Sequence, residues 1–322
     1  MERPFVCKHL IATYEETERE FRKQPVRKEL DIGKDKIFHI SIIEGKTRKI
    51  KISTESDTSI YELNAVFTRI ERLLMLFDGR FFALKEMRFS ESDCFAEDSL
   101  AYCAQNLKAQ RLAYFCSADF CKNPIHRLVN FEEALTSDLF NKWVALLEEL
   151  GVVHQVFLYA VSDSKITTDV KCAFLIEMAE PILEILNETT HKFDSLIQNK
   201  KQMKLKKCLE ALIEAYGNVI FDTERTNPLS IFLQTLVNSR VNIMHIKRNQ
   251  KTPTFNGRQA LMYAQKLSLL YRRILFELLG IKNDIYFDRL SKCVESLDNW
   301  GLKISSSFFK FVDKTTSHSS EV

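Results

Sequence analysis

Glycine and proline are scarce in this chain, at 8 and 6 of 322 residues. With so few glycines, a phosphate cradle made of backbone amides has little to be built from. No glycine-rich phosphate loop, Gly-x-Ser-x-Gly turn or His-Glu-x-x-His pair occurs, so the nucleotide-hydrolysing classes lose ground. Long apolar runs are missing too. No stretch approaches the ~18 uninterrupted apolar residues that a membrane helix needs, and MERPFVCKHLIATYEE lacks the apolar core of a signal peptide. A cytoplasmic location without membrane contact is the expectation. The eight cysteines are scattered, and only Cys116 and Cys121, flanking SADF, are close in sequence. A zinc site normally takes a second such pair, so these thiols read as buried or surface cysteines, and neither a metal nor a cofactor is expected. An excess of one charge is also absent: the formal net charge is +3, so any nucleic-acid site has to be local.

Apolar residues are plentiful. They make up 45% of the chain and include 24 phenylalanines, enough for real cores, and the length suits two domains better than one. Between Lys36 and Ser53, IFHISII and IKIS alternate apolar and polar residues around the turn-like EGKT, which predicts a β-hairpin with one buried face. Ser59 and Glu62 then have capping-box spacing. They open an amphipathic helix that carries Leu63, Val66, Phe67, Ile70, Leu73, Leu74 and Phe77 and stops at Gly79. RFFALKEMRFS and RLAYFCSADF read as further strands, and DLFNKWVALLEEL as a helix ending near Gly151. Beyond SDSKITTD (162–169) the alternation disappears and every apolar pattern is helical. The expected fold is α+β: a mixed α/β domain over 1–164, then an all-α bundle over 165–322.

Four or five helices are expected in that second half. The first, in VKCAFLIEMAEPILEILNE, should bend at Pro181. The second runs over about 201–218, the third from Pro228 toward His245, the fourth from Asn256 to Gly280, and the fifth over about 286–300. The third carries a candidate site: Arg240, four intervening residues, then His245. Five helical residues turn through ~500°, which leaves the two side chains ~140° apart. Either the helix loosens between them, or a second copy of the chain completes the site. The chemistry suits metal-independent RNA cleavage, because an imidazole can move the 2′-hydroxyl proton near neutral pH while a guanidinium grips the phosphate. The plainer alternative is a helix-end dipole contact or a surface salt bridge.

The segment around Arg240 and His245 resembles the HEPN family (higher eukaryotes and prokaryotes nucleotide-binding), whose ribonucleases carry an Arg, four to six residues, then a His near a helix end. FNGRQALMYAQKLSLLYRRILFELLGI looks like the long helix that closes the bundle, and the order of the two halves resembles the ApeA-like bacterial group linked to phage defence. The resemblance implies an endoribonuclease with Arg240 and His245 as catalytic residues. The expected partners are an RNA substrate and a second copy, giving a homodimer through the C-terminal half. The N-terminal half could restrain the nuclease, sense a trigger or bind a partner. Where the family commonly has a polar residue after the Arg this chain has Val241, with Asn242 one position later as a possible substitute. A module without activity, binding RNA, a nucleotide or a protein, is the alternative. Lys247, Arg248, Lys251 and Arg258, close after the motif, are the candidate RNA-binding cations. The lysine run around Lys204 reads first as a solvated face, and Tyr271 as a core or dimer contact rather than a stacking platform.

Overall fold

A computed structural model describes residues 5–14, 25–33, 36–115, 127–162, 166–198, 204–226, 229–245 and 252–299. It divides into two compact units: residues 1–148 with 162–164, and residues 149–161 with 165–322. The architecture is α+β, with an antiparallel sheet and helices first and a helical region after it.

The first unit is built on five antiparallel strands: β1 (Val6–Tyr14), β2 (Val26–Ile32), β3 (Phe38–Glu44), β4 (Arg48–Ser59) and β5 (Leu84–Ser90). Their order across the sheet is β2-β3-β4-β1-β5. The expected hairpin is present as β3 and β4, closed by Glu44 opposite Arg48. Alternate residues such as Ile40, Ile42, Ile50 and Ile52 are buried, as a period of two on one covered face requires. Helix α1 (Ile60–Asp78) packs on β1 and β4. The Ser59 side chain caps it by accepting from the Tyr61 amide, and it ends at Gly79 in the left-handed conformation at φ 75°. Glu62 does not close a capping box there but reaches Lys36 Nζ at 3.0 Å.

The unit continues with α2 (Glu97–Phe115), α3 (Phe131–Ala134) and the start of α4 (Ser137–Val161). Helix α2 corrects one expectation, since Arg111–Phe115 of the supposed strand RLAYFCSADF is helical. Cys116 and Cys121 lie outside the described residues. By length and composition α4 could cross a membrane, which the count of uninterrupted apolar residues did not suggest. It also runs on past Gly151, which takes a non-helical φ of 46° within it.

The unit contains a buried ionic ring. Arg48 donates to Asp78 at 2.6 Å and, through Nε, to Glu44 at 2.7 Å. Arg127 donates to the same two carboxylates, each at 2.7 Å. Burial opposes ionisation of Glu44, but Arg48 and Arg127 outweigh it and hold its pKa below the ordinary value.

The second unit is helical: α5 (Thr168–Glu177), α6 (Ala179–Thr190), α7 (Asp194–Gln198), α8 (Leu205–Tyr216), α9 (Asp222–Thr226), α10 (Leu229–Met244), α11 (Gly257–Leu278) and α12 (283–299). The break expected at Pro181 falls at Met178. A proline crowds the carbonyl four residues back, here that of Glu177, and its ring is accepted in a first helical turn where no donor is needed. Helix α11 starts on a full capping box between Asn256 and Gln259 and lies against α5 and α8. Tyr271 is fully buried, donating to the Leu175 carbonyl, so its place is the core. Lys266, also fully buried, is held by Glu224 at 2.9 Å and Asp298 at 2.6 Å. Burial raises the Glu224 pKa, with Lys266 opposing.

Candidate functional site

Helix α10 ends at Met244, and His245 sits in the turn beyond it, its amide still donating to the Val241 carbonyl at 3.1 Å. Arg240 Nη1 donates to His245 Nε2 at 3.3 Å. The structure thus joins the two residues within one chain. The expectation that their ~140° offset keeps them from one small target is corrected. That angle describes where the side chains leave the helix, whereas the long arginine stem reaches past the helix end to an exposed imidazole. A guanidinium has no acceptor, so Nε2 is the unprotonated nitrogen in this hydrogen bond and the imidazole proton resides on Nδ1.

A residue missed by sequence reasoning fixes the arginine. Glu177, the last residue of α5, takes Arg240 Nη2 on Oε1 at 2.7 Å and Arg240 Nε on Oε2. This two-pronged grip uses the Nε/Nη2 edge of the guanidinium and turns Nη1 toward the histidine. The arginine is therefore accompanied by a carboxylate. Glu180 stands close by on α6. Burial and the carboxylates of Glu177 and Glu184 raise its pKa, with Arg240 opposing. The side of the site formed by α5 and α6 is thus acidic. Among the described residues no three His, Cys, Asp or Glu side chains converge as a metal site would need. The sequence signal for Glu177 was its place in EMAEPILE, where Glu177, Glu180 and Glu184 recur at helical spacing in an apolar stretch.

The chain after His245 returns to the same helix. Asn238 Nδ2 donates to the Pro253 carbonyl at 3.3 Å, and Ser239 Oγ accepts from the Phe255 amide at 2.9 Å. Asn242 is half-buried two residues beyond Arg240, about 200° around the helix. No hydrogen bond brings it to Arg240 or His245 among the described residues. Arg258 is exposed in the first turn of α11. Lys247, Arg248 and Lys251 lie outside the described residues. Farther off, Lys207 pairs with Glu210 at 2.9 Å and Lys206 reaches Gln234 at 3.4 Å, as a solvated face would.

The family model for Apea-like HEPN matches residues 163–285, a span that holds Glu177, Arg240 and His245. This chain carries an Apea-like HEPN domain. The match starts just before α5 and runs through α11 into α12, so the HEPN domain supplies both helices that carry the paired side chains. Comparison with curated proteins and with solved structures gives no match.

Proposed function

We propose that the HEPN domain is an endoribonuclease that cuts RNA with the substrate's own 2′-hydroxyl as nucleophile, and that the protein serves anti-phage defence. The observation that carries the proposal is the 3.3 Å contact between Arg240 Nη1 and His245 Nε2 inside a domain of a class whose members are generally ribonucleases. With Glu177 on the Nε/Nη2 edge, the guanidinium keeps its terminal Nη1 side for a phosphate. A phosphate arriving there displaces the imidazole, whose free Nε2 then accepts the 2′-hydroxyl proton. The 2′-oxygen bonds to phosphorus and the bond to the 5′-oxygen breaks. That oxygen leaves with a proton, and the products are a 2′,3′-cyclic phosphate and a 5′-hydroxyl.

Lys247, Arg248, Lys251 and Arg258 are proposed to hold flanking phosphates, which the acidic side formed by α5 and α6 would repel. A homodimer through the C-terminal half belongs to the same proposal. Each copy would bring a complete pair, and a second imidazole could serve as the acid for the leaving oxygen.

The test is an end-labelled RNA and a copy with 2′-O-methyl groups, each incubated with and without EDTA. Cleavage of the unmodified strand should survive chelation and leave the cyclic phosphate or its 3′-phosphate product. Cutting of the methylated strand, or its complete loss on chelation, would overturn the mechanism.

A further inference from the structure

The sheet of the first unit has one face buried under α1, while the alternate residues keep solvent contact. Where β3, β4 and β1 pair across Lys49 to Ser53, that outward face carries no carboxylate, in a chain with 43 acidic residues. Lys49 and Lys51 project from it two residues apart on β4, and among the described residues neither has an ion-pair partner. Register places Ile43 and Thr13 beside Lys49, and Ser41 and Ile11 beside Lys51. One step farther along, Ser53 lies between His39 and His9. Carboxylates appear beyond that stretch, at Glu55 and Asp57 toward the end of β4 and on or beside the outer strands. Asp31 holds the His39 ring at 2.7 Å, and Glu91 holds His9 at 2.8 Å.

We infer that this face is a docking track for single-stranded RNA, the strand lying over β4 from Lys49 to Ser53. The charge pattern selects an anionic polymer, with unpaired cations at the centre and acid at both margins, so that a strand is drawn to the middle and kept off the rims. Serine and threonine hydroxyls beside the lysines can donate to phosphate oxygens. The two imidazoles, fixed by their carboxylates, are the aromatic surfaces of the central strands, which makes stacking modest and base preference weak. The choice of RNA rests on the nuclease reading above. The track would then hold the substrate, with the HEPN domain cutting it.

The experiment uses the full chain carrying His245→Ala and a fluorescent 20-residue oligouridine, read by anisotropy across salt concentrations. Adding Lys49→Glu with Lys51→Glu should weaken binding roughly tenfold and flatten the slope of log affinity against log salt by about 1.4, two single-strand phosphate contacts. Lys49→Arg with Lys51→Arg should keep both. Unchanged affinity and slope in the charge-reversed protein would overturn the proposal. So would equal binding of oligodeoxyuridine, or displacement of the RNA by poly-glutamate more readily than by unlabelled oligouridine, which would make the occupant DNA or an acidic polypeptide. Failure of the nuclease reading would be seen separately, as wild-type protein that binds RNA through Lys49 and Lys51 and does not cut it.

Discussion

Arg48 in the first unit and Arg240 in the second are both gripped by carboxylates, and they differ in what is left over. The Arg48 side chain is 5% exposed, and the ring it forms with Glu44, Asp78 and Arg127 sets two guanidiniums against two carboxylates. Its pKa is raised, since Asp78 and Glu44 outweigh the burial that opposes its charge. Arg240 is 19% exposed and its partner Glu177 is 45% exposed, with one edge of the guanidinium held and the other facing an exposed histidine. A closed ionic ring of this kind is architecture, whereas a half-closed pair at a helix end can exchange its open side for a ligand.

The largest expected effect breaks the ring. Glu44→Gln removes the charge that Arg48 and Arg127 share and should cost about 3–5 kcal/mol, as loss of one partner from a buried pair does. Hydrogen exchange along β3 and β4 during urea unfolding would read it. The pH dependence has a definite sign. Because the folded pKa of Glu44 is lowered, its contribution is complete above the ordinary carboxylate pKa of about 4.3 and is lost as pH falls through the folded value. The Gln variant should lack that acid-side loss.

Next come the site residues. Arg240→Ala and His245→Ala should each lower RNA cleavage ~100-fold or more, with melting temperature nearly unchanged because both lie at a partly exposed helix end. A large loss of stability would place Arg240 with Arg48 as architecture. A smaller effect is expected at Glu177. Glu177→Ala should cost roughly tenfold in turnover by freeing the guanidinium to turn away. Glu177→Gln, whose amide oxygen still accepts a hydrogen bond, should cost less, and single-turnover kinetics separates the two. The smallest expected change is none. Mixing Arg240→Ala protein with His245→Ala protein should restore no activity, because the pair forms within one chain. Restoration would show that the working pair is assembled across two copies.

Local rules made much of the fold legible. The β3–β4 hairpin, α1 between Ser59 and Gly79, and α11 from Asn256 are set by patterning and caps within a few residues. Strand β1 was not recognised. Its pairing with β4 shifts register between Cys7 and His9, and its partners lie more than thirty residues away. RLAYF fitted a strand's alternation, but it is the end of a helix that began at Glu97. At the site, Arg240 and His245 could be read because they are neighbours on one helix, while Glu177, 63 residues earlier, meets them only through the packing of α5 on α10. The angle at Cβ sets only where Arg240 leaves the helix, while its long stem carries the guanidinium to His245.

The return of the chain to α10 has an evolutionary side. With His245 at one end and Pro253 and Phe255 tied to Asn238 and Ser239 at the other, the intervening segment begins and ends on the same stretch of helix. Lengthening such a closed excursion is cheap, about 0.6 kcal/mol for each doubling, and leaves the frame around Arg240 as it was. Insertions and substitutions there need not rework the bundle, so chain length between His245 and Pro253 can change while α10 and the frame around Arg240 stay as they are.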